Sequence, residues 1–409
     1  MSAVTWLDFS EAQQRKVLEA LKGFEEKDTV DDLGFGPIRD AISGTFFPGT
    51  SVLQTRAKYF LFIPWIFQRA QNRWPANAVG KAADMERKLI SALLESEDLD
   101  GVIGRTKGKD LKTLPSAIYW SGLQTFGIFT RRGKSIRQYS RLLARPLRST
   151  EYEGELVDGN QSFWSDLPEP PLDLFAFTKA ELALTPKEAA WLSEKIYSAE
   201  SLSGRPNLLT ILVQKIHNRD FGFLEEQNLW DVDLPPVVDV RLRDLAQHSR
   251  HFATLVHGSS LMYNMMLAER LLEKGHDVTF GADYESRMQE WIIQSSRNGL
   301  ESWCVNITDF WTCLESLEKR IPDSAREFVN DLASCICNEG ISEFSESASV
   351  RRLIECREIG HKKAQARLRN EQRLLAFQGD AGLRPMNFRW NLVCRILRDI
   401  ADAYEVNNA

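Results

Sequence analysis

The sequence lacks most of the signatures that reveal a protein's chemistry. It contains no GxxxxGK[ST] phosphate loop, no GxSxG nucleophile turn and no HExxH zinc motif, so nothing supports a P-loop NTPase, an α/β-hydrolase or a zinc protease. Its densest apolar run, the eight residues Phe60 to Phe67, is far shorter than the ~20 residues that cross a bilayer. No alternating apolar pattern is long enough to indicate a β-sheet.

The cysteines also exclude common roles. There are six, namely Cys304, Cys313, Cys335, Cys337, Cys356 and Cys394. None forms a CxxC pair, and Cys335-x-Cys337 is too closely spaced for a usual zinc site. We expect reduced, buried thiols, no metal and no cofactor. The N-terminus, MSAVTWLDFSEAQQ, has no basic region followed by an apolar core, so we predict a cytoplasmic protein without a signal peptide.

The stretch TFFPGTSVLQTRAKYFLFIPWIFQR combines a turn, two cations and a dense aromatic run. Thr50 or Ser51 is placed to cap a helix that begins near Val52, because its side-chain oxygen can accept a hydrogen bond from the first turn. Pro64 lies inside the predicted helix and should kink or divide it.

Two interpretations of this stretch remain open. In the first it is a buried central helix with cations at its end. In the second Gly49, Thr50, Arg56 and Lys58 form a small anion site at the helix start, where free N–H groups and the helix dipole favour phosphate.

The segment from Arg131 to Arg148 is strongly basic. Its cations are Arg131, Arg132, Lys134, Arg137, Arg141, Arg145 and Arg148, and it contains no acid. Five of them, from Lys134 onward, recur three or four residues apart and share one helical face, until Pro146 ends the helix near Ala144. Ile136, Tyr139 and Leu143 lie towards the other side. Such a helix would dock by its apolar side and contact nucleic-acid phosphates with its cations. The alternatives are a solvated face or cations that pair with nearby acids.

The next stretch, Glu151 to Asp173, holds seven acids and the run Pro168-Glu-Pro-Pro171. Its composition indicates a linker or an extended strap. We therefore predict an N-terminal helical domain over 1–150, a linker over 151–178 and a C-terminal helical domain over 179–409. The acids from Glu151 to Asp158 would also be able to cover the basic helix as an internal competitor.

The overall pattern predicts an all-α protein of two packed helical domains with few or no strands. The clearest predicted helices open at Ser10, span Ala78 to Glu95, open at Pro115, and span Thr185 to Ala199, Val238 to Lys274, Ser349 to Arg373 and Phe388 to Tyr404. Minor strands are predicted near Val237 or Val278.

One histidine pattern suggests chemistry. Arg243, Asp244 and His248 fit the loose arginine-polar-x-x-x-histidine motif of helical ribonucleases that resemble the HEPN group. There the arginine would stabilise phosphate and the histidine would act as a general acid or base. Five positions rotate a side chain by ~140° around a helix, so the pair need not converge. His248-x-x-His251 has metal-ligand spacing, but no third ligand is evident.

Three stretches carry a family resemblance: GTSVLQTRAKYFLFIPWIF, FATLVHGSSLMYNMMLAE and FRWNLVCRILRDI. Together they resemble an uncharacterised bacterial family of about this length, a domain of unknown function. Members of such families tend to be encoded beside helicases and other anti-phage defence genes. The resemblance therefore implies a component of a defence system, and it supplies no catalytic residues.

Three functions follow as hypotheses. The first is a non-enzymatic subunit that binds DNA through the basic segment, with Arg56 and Lys58 as further contacts, in a defence complex with a helicase or nuclease partner. The second is a helical ribonuclease that uses Arg243 and His248. The third is a protein-only scaffold without nucleic-acid contact. No membrane partner is predicted.

Overall fold

The computed structural model describes residues 31–143, 163–204, 207–236, 238–276, 278, 281–315, 317 and 320–405. Several predictions lie outside these residues. They are the helix opening at Ser10, the basic-segment cations Arg145 and Arg148, the acids from Glu151 to Asp158, and the strand near Val237.

The described residues form fifteen helices. In chain order they are α1 (Gly36–Phe46), α2 (Tyr59–Arg73), α3 (Ala78–Leu94), α4 (Pro115–Thr125), α5 (Ile136–Leu143), α6 (Pro186–Ser203), α7 (Leu208–His217), α8 (Val240–Glu273), α9 (Gly281–Arg297), α10 (Leu300–Val305), α11 (Ile307–Glu315), α12 (Asp323–Glu339), α13 (Ala348–Lys362), α14 (Glu371–Leu375) and α15 (Trp390–Glu405). The same residues contain no β-strand, and a single antiparallel bridge pairs Phe129 with Trp164. The all-α prediction is confirmed. None of these helices is both long enough and apolar enough to cross a membrane.

The chain folds into two compact units. The described part of the first covers 46–143, 163–204, 207–227 and 389–405. The second covers 31–45 and the described residues from 228 to 388. Within the described residues the chain passes between the units at 45/46, 227/228 and 388/389, whereas the sequence indicated a linker over 151–178.

The described end of that linker packs into the first unit. The indole N–H of Trp65 donates a hydrogen bond to the carbonyl of Pro168 (2.7 Å), and the indole N–H of Trp191 donates one to the carbonyl of Asp166 (2.6 Å). The composition of the segment does not reveal that tryptophan donors on two helices hold this backbone in place. Its described residues, from 163 onward, are therefore part of the first unit.

The core of the first unit forms around α2, which packs against α3 and α4. Every residue from Tyr59 to Phe67 is buried, so the prediction of a buried central helix is confirmed. Pro64 lies within α2 and does not divide it. Burial of the large side chains around Pro64 offsets the one backbone hydrogen bond that proline cannot make.

The predicted start of this helix is wrong, because α2 begins at Tyr59 and not near Val52. The hydroxyl of Tyr119 accepts hydrogen bonds from the backbone N–H groups of Thr55 (2.8 Å) and Arg56 (3.0 Å). Those donors are therefore used in a tertiary contact. A local pattern cannot show a partner that lies 64 positions away along the chain.

The second unit forms around α8, whose 34 residues match the prediction of a helix from Val238 to Lys274 closely. Gly275 ends the helix with a positive φ of 80°, as a glycine just past a helix end is expected to do. Within α8, Gly258 lets Trp291 of α9 approach closely. A Cβ at that position would lie 2.2 Å from the Trp291 ring.

The helix predicted from Ser349 to Arg373 is shorter than expected. It ends at Lys362, and Lys363 has a left-handed φ of 54°. A short helix follows after Asn370, whose side chain accepts the N–H of Arg373 (3.3 Å). An asparagine cap inside a run of cations is a weak signal, because the surrounding residues all favour helix. At Val278 the structure contains no strand.

Candidate nucleic-acid interface

The basic helix is positioned by a cluster of aromatic rings in the first unit. Tyr139 of α5 is fully buried, and its ring centroid lies 5.4–6.0 Å from those of Phe67, Trp120, Phe129, Phe163 and Trp164. Its hydroxyl donates a hydrogen bond to Oε1 of Gln71 on α2 (2.8 Å). These contacts fix the apolar side of α5, as its sequence pattern predicts.

The start of α5 is fixed by a reciprocal cap. The Ser135 N–H donates to Oε1 of Gln138 (2.8 Å), and the Gln138 N–H donates to the Ser135 hydroxyl oxygen (3.2 Å). This serine-x-x-glutamine box satisfies two N–H groups of the first turn. The indole N–H of Trp120 also donates to the carbonyl of Lys134 (2.7 Å). The backbone that carries the cations is therefore held on both sides of the helix start.

Four of the five described cations of the basic segment are exposed, and the fifth, Arg131, is half-buried. Arg132, Lys134, Arg137 and Arg141 are exposed. The guanidinium of Arg131 lies over the ring of Phe163 at 5.9 Å. Because Tyr139 faces the core, Arg137 and Arg141, which are four residues apart, share the solvent side of α5. The structure thus presents an exposed group of cations on a backbone that is held by the core, an arrangement that suits contact with a phosphate backbone.

Arg56 was a candidate for the same interface, but the structure places it among carboxylates. Its Nε lies 2.8 Å from Oδ1 of Asp399, and its Nη1 lies 2.6 Å from Oδ2 of Asp98. Nη1 also donates to the carbonyl of Asp100 (2.9 Å). Burial raises the pKa of Asp399 to about 6, and the charge of Arg56 opposes that rise. The charge of Arg56 is therefore balanced within the fold.

Lys58 is buried and paired. Its Nζ lies 2.5 Å from Oε2 of Glu188 and donates to the carbonyl of Ala183 (3.0 Å). The same Glu188 oxygen accepts the N–H of Thr185 (2.7 Å), so it completes the capping box of α6. Burial lowers the pKa of Lys58, and the contact with Glu188 opposes this. Both cations near Gly49 therefore have internal partners, and we do not include them in the interface proposed below.

The ribonuclease-like residues occupy α8 in the second unit. The guanidinium of Arg243 donates a hydrogen bond to the carbonyl of Pro235 (2.6 Å). Nδ1 of His248 accepts one from the indole N–H of Trp303 (2.9 Å), so its neutral ring carries the proton on Nε2. Burial lowers the pKa of His248, and Asp244 opposes this. Joint action of Arg243 and His248 on one substrate stays a prediction.

The described part of the chain contains no group of three or more histidine, cysteine, aspartate or glutamate side chains that would hold a metal ion. His251 stacks on the Trp303 ring with centroids 5.9 Å apart. All six cysteines lie in the described part of the chain, and none forms a disulfide bond; Cys304 is buried, whereas Cys337 and Cys356 are exposed. The expectation of buried thiols is therefore wrong for these last two.

The sequence pattern missed a second group of cations in the first unit. Arg69 and Arg73 of α2 and Lys88 of α3 line a cleft of about 410 Å³ together with Phe175 and Phe177. The only signal in the sequence is the spacing of the two arginines, four residues apart at the end of an apolar helix. Cations in such a position are usually explained by the helix dipole alone, and the aromatic residues lie a hundred positions later.

Comparison with known proteins adds a family assignment. Residues 1–404 match the family of unknown function DUF6361. The chain therefore belongs to that family, and the resemblance to an uncharacterised family of about 400 residues is confirmed. No curated protein and no solved structure matches the chain.

Proposed function

We propose that this member of the DUF6361 family is a non-enzymatic nucleic-acid-binding subunit. It would contact DNA phosphates through the basic segment, for which the described cations are Arg131, Arg132, Lys134, Arg137 and Arg141. The observation that carries the proposal is the division of α5 into two sides. Tyr139 anchors one side in an aromatic cluster, and the exposed Arg137 and Arg141 occupy the other. The other three described cations lie just before the helix.

The net charge of the whole chain, −6, does not oppose this proposal. Nucleic-acid contact depends on local charge, because interactions between exposed charges are screened beyond ~10 Å at ordinary ionic strength. The described part of the segment, residues 131–143, contains five cations and no acid. A phosphate backbone placed along it would release counterions, and that release supplies the free energy of sequence-independent binding.

The biological setting of the proposal rests on the family resemblance. We propose that the chain acts within an anti-phage defence complex, beside a helicase or nuclease that performs the chemistry. In that arrangement the basic segment would hold the nucleic acid while the partner acts on it. A rigidly docked helix suits this role, because phosphate contacts fix position and orientation without reading sequence.

The test is binding of fluorescein-labelled duplex DNA to the purified chain, measured by fluorescence anisotropy at low salt. In the test variant Lys134, Arg137 and Arg141 are all changed to Glu. In the matched control Arg105, Lys112 and Lys187, which are exposed on other elements of the same unit, are changed to Glu. The two variants have equal net charge, so a difference between them reports position.

We expect the test variant to lose at least ~100-fold in affinity, because each reversed contact costs about 1 kcal/mol or more. The control should stay within about threefold of the unchanged chain. Equal losses in both variants would mean that only net charge matters, and the proposed interface would be wrong. A chain that binds no DNA at low salt would contradict the proposed function itself.

A further inference from the structure

The cleft beside the end of α2 has walls of two chemical kinds. Arg69, Arg73 and Lys88 supply positive charge, and Phe175 and Phe177 supply aromatic rings. Trp74 completes the aromatic lining, and none of the described residues that line the cleft is acidic. Three cations greatly exceed the ~0.5 negative charge that the C-terminal end of a helix carries. The cleft therefore favours an anionic ligand.

The two arginines of the cleft are held against aromatic rings. The guanidinium carbon of Arg69 lies 4.8 Å from the centroid of the Phe175 ring, and that of Arg73 lies 5.0 Å from the Trp74 ring. A guanidinium that stacks on a ring keeps its N–H donors at its edge. These edges remain able to donate two parallel hydrogen bonds to a phosphate.

The loop that supplies the phenylalanines is held in an uncommon conformation. Phe177 follows a short 3₁₀ turn, Leu174–Ala176, and has left-handed backbone angles of φ 55° and ψ 31°. A residue with a side chain rarely adopts this conformation unless its surroundings impose it. Leu174 is buried, and its carbonyl accepts the N–H of Phe177 (3.2 Å). The turn thus places two rings 6.3 Å apart at the cleft.

The combination identifies a class of ligand. A simple anion such as sulfate would not stack on the three aromatic rings, and an apolar molecule would not pair with the three cations. A nucleotide uses both, since its base stacks on aromatic or guanidinium faces and its phosphate binds arginine and lysine. A volume of about 410 Å³ lies within the ~300–1,000 Å³ range of small-molecule sites. Bases inside a duplex are already stacked and cannot enter.

The cleft and the basic segment belong to neighbouring parts of the first unit. Helix α5 packs against α3 and against the 3₁₀ turn Pro75–Asn77 that directly follows Trp74. Gln71, which accepts the Tyr139 hydroxyl, lies between Arg69 and Arg73 on α2. A single-stranded nucleic acid that contacts the cations of α5 would therefore pass near the cleft on the same unit.

We propose that this cleft is a nucleotide-binding site, which takes one unpaired base with its phosphate. The source is either an unpaired residue of a single strand or a free nucleotide. If the base belongs to a nucleic-acid strand, the inference rests on the proposed function. If it belongs to a free nucleotide, the inference is independent of that function.

The test uses three probes with the full chain: ADP carrying a fluorescent methylanthraniloyl group, fluorescein-labelled oligo(dT), and labelled duplex DNA. The variants are Phe177→Ala and the double change Arg69→Ala with Arg73→Ala. Lys187→Ala, an exposed lysine on α6, is the control. Both arginines are exposed, so replacing them should not lower the stability of the fold. The double variant therefore tests the cleft even if Phe177→Ala lowers stability, which circular dichroism melting would show.

We expect Phe177→Ala to weaken oligo(dT) binding by about fivefold or more, as loss of one stacking ring does, and to leave duplex binding within about twofold. The arginine variant should weaken oligo(dT) and labelled ADP together. Changes confined to oligo(dT) would assign the cleft to bases within a strand. Labelled ADP that binds through the cleft, with no strand binding in any variant, would support a free-nucleotide site and contradict the proposed function.

Two results would overturn the inference. The first is oligo(dT) affinity that both cleft variants leave unchanged, with no binding of labelled ADP; the proposed function would then survive through the basic segment alone. The second is an equal loss of duplex and oligo(dT) binding in the arginine variant with no effect of Phe177→Ala. The cleft arginines would then be further phosphate contacts and not a base site.

Discussion

Asp399 near the C-terminus joins α15 to the segment that precedes α2. Its Oδ1 lies 2.8 Å from Nε of Arg56, and its Oδ2 accepts the backbone N–H of Ala57 (2.7 Å). The side chains of Arg56 and Asp399 are 12% and 7% exposed, so neither charge is well solvated. This ion pair therefore links two parts of the first unit that are 343 positions apart in the sequence.

We predict that breaking this pair destabilises the first unit strongly. Arg56→Ala should lower the free energy of unfolding by about 3–5 kcal/mol, because it leaves the carboxylate of Asp399 buried without its cation. Asp399→Ala should have a similar effect. In the double variant the loss should be clearly smaller than the sum, as measured by urea denaturation. Additive losses would mean that the two side chains do not stabilise each other.

We predict that Lys58 contributes to stability and not to nucleic-acid binding. Lys58→Met keeps the buried hydrocarbon stem but removes the ammonium that pairs with Glu188. Thermal melting should occur at a lower temperature, since Glu188 would be left with an unpaired buried charge. Duplex DNA affinity, measured on the folded variant, should stay within about twofold.

A second change sharpens this prediction. Glu188→Gln together with Lys58→Met removes both charges and should restore part of the lost stability. If Lys58→Met instead lowered DNA affinity as much as a change in α5, the anion site near Gly49 would have to be reconsidered.

Glu86 gives a prediction about pH. Its side chain is buried on α3, and its Oε2 accepts the N–H of Ser116 (2.7 Å). Burial raises the pKa of Glu86 to about 7 from an ordinary 4.5, and the bond from Ser116 opposes the rise. The folded state thus binds this proton more tightly than the unfolded state. Its stabilising contribution is complete below pH ~4.5 and is lost as pH rises through about 7.

Glu86→Gln should remove this dependence, because glutamine keeps the acceptor and carries no charge. At pH 8 the variant should be more stable than the unchanged chain by about 3 kcal/mol, the free energy that corresponds to a pKa raised from 4.5 to about 7. At pH 4 the two should nearly coincide. The measurement is urea denaturation at both pH values. An equal difference at both would show that Glu86 does not titrate between them.

The sequence predicts the helical class, the burial of the aromatic run and the docking side of α5 for one reason. Each depends on the periodicity of apolar residues, which is local. The start of α2 depends on the hydroxyl of Tyr119, a partner far along the chain, so no local pattern predicts it. The integration of the acidic segment depends in the same way on the indole of Trp65.

The candidate site shows the same limit. The spacing of Lys134, Arg137 and Arg141 is visible in the sequence, and all three are exposed. The prediction that they share one helical face is wrong for Lys134, because α5 begins only at Ile136. The internal partners of Arg56 and Lys58 are not visible, because Asp399 and Glu188 approach them only in the folded chain. The cleft was also missed, since Arg69 and Phe175 come together only through tertiary packing.

The salt dependence of duplex DNA binding is the decisive test of contact between the basic segment and phosphates. The logarithm of the binding constant should fall linearly with the logarithm of salt concentration, with a slope of about −0.9 for each phosphate contacted. Changing Lys134, Arg137 and Arg141 together to Ala should make that slope shallower by about 2–3 units. An unchanged slope in this folded variant would show that the basic segment does not contact phosphates and would contradict the account.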